Sequence, residues 1–151
     1  MNVQQKGKEK GFTIIEVVLV LAIAGLIFLM VFIALPALQR NQRDTQRKND
    51  MSRVQTAIQN YQSNNRGKLP TFDDTFITSY LKTGGDSFTD PDGTDYQFKP
   101  GPSNGSFDHN VYYTIGHICS GENVDTSSAA GGQKVAIQYK LEGGGTYCQN
   151  N

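Results

Sequence analysis

Net charge is missing from this chain. Its 14 lysines and arginines balance 14 aspartates and glutamates, so no overall charge points to nucleic acid or to an acidic substrate. Histidine and cysteine are scarce, at two each. His109, His117 and Cys119 come nearest to a metal or nucleophile cluster. Catalysis needs a positioned base and a group that orients it, and neither is found. Sheet positions and a disulfide explain the three residues better, so an enzyme is not expected.

The zero balance hides a split. Residues 1–11 carry Lys6, Lys8 and Lys10 against Glu9. Residues 39–53 carry Arg40, Arg43, Arg47, Lys48 and Arg53 against Asp44 and Asp50. The segment 66–151 is acidic, which disfavours nucleic acid as a partner of that part, because phosphate contacts need Lys or Arg. Between the first two basic stretches lies an apolar run, residues 12–38, broken only by Thr13, Glu16, Gly25 and Pro36. As a helix it is about 40 Å long at ~1.5 Å per residue, more than the ~30 Å hydrocarbon core of a bilayer. It is too long for the apolar core of an ordinary signal peptide, and Leu35-Pro36-Ala37 has no small residue at its first position for cleavage. A plain membrane anchor and a segment cut on its N-terminal side remain. Both flanks are basic, so the positive-inside rule does not choose an orientation.

The string Gly11-Phe12-Thr13-Ile14-Ile15-Glu16, behind a short Lys-rich leader and opening into the apolar run, resembles the class III signal of type IV prepilins, a family that includes the pseudopilins of type II secretion. The resemblance runs to about residue 64. It implies cleavage between Gly11 and Phe12 by a membrane aspartyl peptidase, and methylation of the new amine on Phe12 by the same enzyme. It also implies an α+β fold: a long N-terminal helix, half membrane segment and half amphipathic, packed on a small antiparallel sheet. The organisation follows as leader 1–11, membrane and assembly helix 12–38, amphipathic stem 39–65 and globular head 66–151. The implied partners are copies of the chain in a filament, the prepilin peptidase, an assembly ATPase with its platform protein, and the cytoplasmic membrane before export to the cell surface. A major pilin, a minor pilin and a pseudopilin of a secretion or DNA-uptake machine all fit. A membrane-anchored ligand-binding protein is the alternative of another class, and it would need neither Gly11 nor Glu16.

Glu16 has two readings. A carboxylate in a membrane helix costs at least about 2.5 kcal/mol and is a functional candidate by default. Thr13-Ile14-Ile15-Glu16 also fits a capping box, with Thr13 as N-cap. The resemblance implies a charge pair between Glu16 and the amino terminus of a neighbouring subunit, which cleavage creates. Gly25 and Pro36 interrupt helix propensity. Membrane helices often tolerate both, while the resemblance implies that the stretch between them loses helicity in the filament.

Beyond Pro36, Met51, Val54, Ala57, Ile58 and Tyr61 recur at helical spacing and form one apolar stripe. The basic residues 40–53 read as a solvated helix face that touches neighbouring subunits. Asn64-Asn65-Arg66-Gly67 ends the helix and Pro70 prevents its resumption. Residues 71–82 read as a short helix or turn. Residues 111–115 and 135–141 alternate as half-buried strands, a third strand starts near Tyr96, and 120–133 reads as a polar loop. In an exported chain, Cys119 and Cys148 read as one disulfide. Asp90-Pro91-Asp92-Gly93-Thr94-Asp95 alternates oxygen ligands around a turn glycine, as a calcium loop does. Asp90, Asp92 and Asp95 would be its ligands, although the distal Glu of an EF-hand is missing. The stretch also resembles the Asp-Pro-x-Gly-x-x-Tyr of pseudopilins, and an ordinary Asp/Pro/Gly turn is the alternative. No other cofactor is expected.

Overall fold

Residues 11–13 have no regular structure, and Ile14 starts a helix, α1, that runs Ile14–Asn64 without a break at Pro36. The computed structural model describes residues 11–127 and 129–151; leader residues 1–10 lie outside the described residues. The chain divides into two compact units, one ending at Leu38 and the other Gln39–Asn151, and α1 supplies residues to both. The helix ends as its sequence suggests. Arg66 and Gly67 both take positive φ, and the Gly67 N–H donates to the Gln62 carbonyl at 2.7 Å. That bond satisfies a carbonyl the helix itself leaves open, the Schellman arrangement.

In the first unit every large apolar side chain of α1 is exposed, from Ile14 to Leu38. The helix is long and apolar enough to cross a membrane, and solvated Leu, Ile and Phe at this density need lipid or protein against them.

In the second unit the opposite holds. From Asp44 onward α1 buries one side, with Met51, Val54, Ala57 and Ile58 in the core. They meet Phe76, Leu81, Phe88, Tyr96, Val111, Val135, Ile137 and Tyr139. Residues 71–82 do form a short helix. Asp73 caps it, accepting from the Phe76 N–H at 2.9 Å, and after Phe76 it widens into a π-helical turn, Ile77–Leu81.

The main sheet has four strands in the order β1 (Gln97–Pro100), β2 (Asn110–Ile115), β5 (Val135–Lys140), β6 (Thr146–Asn150). A separate hairpin pairs β3 (Ile118–Ser120) with β4 (Asn123–Asp125). Three features correct the sequence-based expectations. First, the sheet is mixed: β1 runs parallel to β2. Pro100 has no N–H to extend β1, the Gly101 N–H closes onto the Tyr113 carbonyl at 2.9 Å, and residues 101–109 carry the chain back to re-enter in the same direction. Second, β5 is fully buried through Tyr139, not half-buried. It lies between β2 and β6, and Gln138, on the alternate set of positions, accepts from the Ser103 N–H and donates to the Glu122 carbonyl, each at 3.0 Å. Third, the stretch 120–133 is not all loop, since it contains β4. The Cys119–Cys148 disulfide is present and ties β3 to β6, with Cα atoms 5.8 Å apart.

Candidate functional site

The first site is built by six consecutive residues at the start of α1. The Thr13 N–H and the Thr13 hydroxyl both donate to Glu16 Oε2 at 2.9 Å. The Glu16 N–H points back to Thr13 Oγ1 at 3.4 Å. This is the reciprocal capping box the sequence allows, and it fixes the carboxylate one turn from Phe12. The Phe12 side chain is 90% exposed. Phe12 and Glu16, with Val17, Val20 and Leu21, line one shallow concavity. The carboxylate shares that concavity with apolar side chains, and among the described residues it is Thr13 that donates to it. Gly11, two residues before Thr13, is exposed and lies in non-helical backbone. At Gly25 a Cβ would meet nothing within 4 Å, and both Gly25 and Pro36 lie inside continuous helix.

Residues 6–32 match the family model described as the prokaryotic N-terminal methylation motif. The chain carries a prepilin-type N-terminus. No curated protein and no solved structure matches it. The match covers the residues around Gly11 and Phe12 and most of the apolar helix, and it stops before the head. For a prepilin-type chain the exposed apolar helix is the anchor of a membrane-held precursor. The motif belongs to a structural family, not an enzyme family.

The head of this prepilin-type chain holds a second constellation that sequence reasoning missed. Arg47, assigned above to a solvated basic face, is instead buried. Its Nε and one terminal nitrogen donate to the two oxygens of Asp90, both at 2.7 Å. Its other terminal nitrogen donates to Asp44 and to Glu142, both at 3.0 Å. The guanidinium stands 4.6 Å from the centre of the Phe107 ring. Arg43 adds two bonds to Glu142, at 2.9 and 2.6 Å. Asp44 also accepts the N–H groups of Glu142 and Gly143, at 3.0 and 2.7 Å. A Cβ at position 143 would lie 2.9 Å from Asp44 Oδ2, so only glycine permits this approach. Asp90 further accepts from the Tyr139 hydroxyl at 2.7 Å. Burial opposes charge on Arg47, but its bonds to Asp90, Glu142 and Asp44 outweigh it and hold the guanidinium well above its ordinary pKa. The bonds from Arg43 first, then Arg47, pull Glu142 down to about 2. Nearby, Asp50 is buried and accepts from the Tyr96 hydroxyl at 3.0 Å, and its carboxyl is pushed up by desolvation.

One signal of this was legible. Asp44, Arg47, Met51, Val54 and Ile58 continue a single three-and-four spacing, so Arg47 lies on the same stripe as the core residues. A charged residue in register with an apolar stripe is either buried with partners or the end of the stripe. Lys48, off that stripe, stays exposed, as does Arg40, one step beyond its buried end at Asp44.

The residues proposed as calcium ligands are only partly brought together. Asp90 and Asp92 share a turn in which the Gly93 N–H donates to the Asp90 carbonyl at 2.8 Å; Gly93 takes a φ of 92° there, which favours glycine. Asp92 pairs with His109, and with Asp90 the three ligating atoms lie within 4.8 Å of one another. Asp95 turns away to Lys82, 3.5 Å distant. Both Asp90 oxygens already serve Arg47.

Proposed function

We propose that the chain is a type IV pilin: a structural subunit cut between Gly11 and Phe12, methylated on Phe12, and assembled from the membrane into an extracellular filament. The observation that carries this is Glu16, a carboxylate set among exposed aliphatic side chains one turn after Phe12. Its cap uses Oε2 for both Thr13 bonds, and Oε1 is the oxygen offered to a neighbour. Before cleavage Phe12 carries an uncharged peptide N–H. After cleavage it carries an ammonium. Packing two such helices side by side in a dry environment places that ammonium against the Glu16 of the next subunit, and the pair sets the axial register. Processing then switches assembly on by supplying the missing charge. The prepilin peptidase, an assembly ATPase and its platform protein are the partners this route requires.

Glu16→Gln tests it. The substitution keeps the size and the capping acceptor but removes the charge. Breaking one side of a buried ion pair costs about 3–5 kcal/mol, repeated at every subunit contact. Electron microscopy of sheared surface filaments, beside a blot of the membrane fraction, should show few or no filaments while processed monomer accumulates. Filaments at wild-type numbers from the Gln variant would leave Glu16 as a helix cap only.

A further inference from the structure

Two glycines in the chain follow an Asn or an Asp: Gly105 after Asn104, and Gly93 after Asp92. In such a pair the glycine's backbone nitrogen can close a five-membered ring on the side-chain carbonyl carbon before it, since glycine has no Cβ to crowd the approach. The surroundings of the two pairs differ. Asn104, Gly105 and Ser106 are exposed in the loop between β1 and β2. The Gly105 N–H reaches Ser103 Oγ at 3.3 Å, longer than the usual N–H···O bond. A Cβ built at Gly105 would meet nothing within 4 Å, so the nitrogen stands in open space. The Ser106 N–H donates to Asn104 Oδ1 at 3.0 Å. It polarises the carbonyl and steadies the negative charge that builds on that oxygen during attack. We infer that Asn104 is a self-modification site: it deamidates in the folded head through a succinimide formed with Gly105, while the fold protects Asp92 from the same ring closure.

The step needs only water. The Gly105 nitrogen gives its proton to solvent and bonds to Asn104 Cγ. The Cγ–Nδ2 bond breaks, and Nδ2 leaves as ammonia with a proton from solvent. Water then opens the ring at either carbonyl, leaving aspartate at position 104 or isoaspartate, whose main chain is one carbon longer. At Asp92 the ring is opposed twice. The Gly93 N–H is engaged by the Asp90 carbonyl at 2.8 Å. Desolvation opposes ionisation of Asp92, but bonds from Thr94 and His109 outweigh it and hold the carboxyl down at about 2. An ionised carboxylate repels a nucleophile and has no good leaving group. The product at position 104 matters to the loop. Asn104 Nδ2 donates to Asp108 Oδ2 at 3.4 Å, and Asp108 also accepts from the Asn110 N–H and the Tyr112 hydroxyl where β2 begins. Deamidation replaces that donor with a second carboxylate, so the acidic head gains one negative charge beside the entry to β2. The chemistry does not depend on filament assembly, so its test is independent of the one on Glu16.

The test uses the full chain in detergent micelles, kept warm for weeks in neutral and in mildly alkaline buffer, beside a sample unfolded in guanidinium. Chymotryptic peptides are then separated by liquid chromatography and weighed. Cleavage after Phe98 and Phe107 isolates a peptide in which Asn104 is the sole amide side chain, so any gain of one mass unit belongs to it. From the folded chain this peptide should split into two later forms, each one mass unit heavier, and faster in the alkaline buffer. The peptide carrying Asp92 should stay a single peak from the folded chain and split, at constant mass, from the unfolded one. Asn104→Gln, whose ring would need six members, should keep its mass throughout. A folded chain whose Asn104 peptide keeps its mass would overturn the proposal, whatever the unfolded sample does. So would an Asp92 peptide that splits as fast from the folded chain as from the unfolded one.

Discussion

Ile33 and Arg47 lie on the same helix, the first 71% exposed and the second 1%. In the segment before Leu38 the aliphatic and aromatic side chains face outward; after Asp44 charged ones are buried. Helix propensity does not separate the two stretches, and α1 runs through both. What differs is the source of burial. The head supplies its own sheet, its own aromatic core and three carboxylates for one guanidinium. Among the described residues the large side chains of the apolar stretch are left exposed, so the proposed function covers them from outside: lipid first, then, in the filament, other copies of the chain. An exposed apolar surface and a buried charge are both costly in isolation. Each marks a place where a partner is needed, and only in the head does the chain contain it.

The comparison predicts where damage is large. Asp90→Asn leaves Arg47 buried with its bidentate acceptor weakened, and a broken buried pair costs about 3–5 kcal/mol. Ile58→Ala, in the same unit, empties a fully buried site at about 2–5 kcal/mol. Urea unfolding of the full chain in micelles, read by tyrosine dichroism, should show both as clear drops in midpoint. A wild-type midpoint for Asp90→Asn would mean that the buried charges contribute nothing to holding the loop on the helix.

Removing the disulfide comes next. Cys119 and Cys148 are 29 residues apart in sequence, and a crosslink of that span is worth roughly 3–4 kcal/mol in the loop-entropy model. The double Ser variant should unfold at correspondingly lower urea, and reduction of the wild type should reproduce the shift. The apolar helix should be indifferent to both changes, since the bond joins β3 to β6.

Acid sharpens the contrast less steeply. Arg43 and Arg47 hold Glu142 near 2, below its ordinary value. A carboxyl whose pKa is lowered on folding contributes stability above its unfolded pKa and loses it as pH falls through the folded one. Head stability should therefore decline as pH drops from about 4.5 to about 2. Asp50 works in the other direction: its pKa is raised by burial, so its protonation favours the folded head. The urea midpoint measured at several pH values should fall across that window, and Glu142→Gln should flatten the fall.

The smallest effect belongs to the exposed stretch. Leu29→Ala removes a large side chain that is 62% exposed, and exposed substitutions stay within about 0.5 kcal/mol. The head's urea midpoint should not move. A shift as large as that of Ile58→Ala would show that this residue stabilises the head after all.

Much of this was legible along the chain because it is local. The Thr13–Glu16 box, the apolar run and the end of α1 at Asn64-Asn65-Arg66-Gly67 each depend on residues a few positions apart, and the structure shows the Thr13–Glu16 bonds and the closing bond at Gly67. The two cysteines could be paired because the choice was single. The parallel direction of β1, the burial of β5 on both faces and the Arg47 clasp were not legible in the same way. The direction of β1 depends on how residues 101–109 fold back. The burial of β5 depends on which strands flank it, and the charge state of the clasp on segments about 40 and 95 residues from Arg47. Sequence by itself determined that this protein has a prepilin-type N-terminus on an apolar helix, since short-range chemistry specifies both. Only the tertiary structure decided that a basic helix face is, at Arg47, the inside of the head, because burial of a charge is settled by distant carboxylates that arrive with the fold.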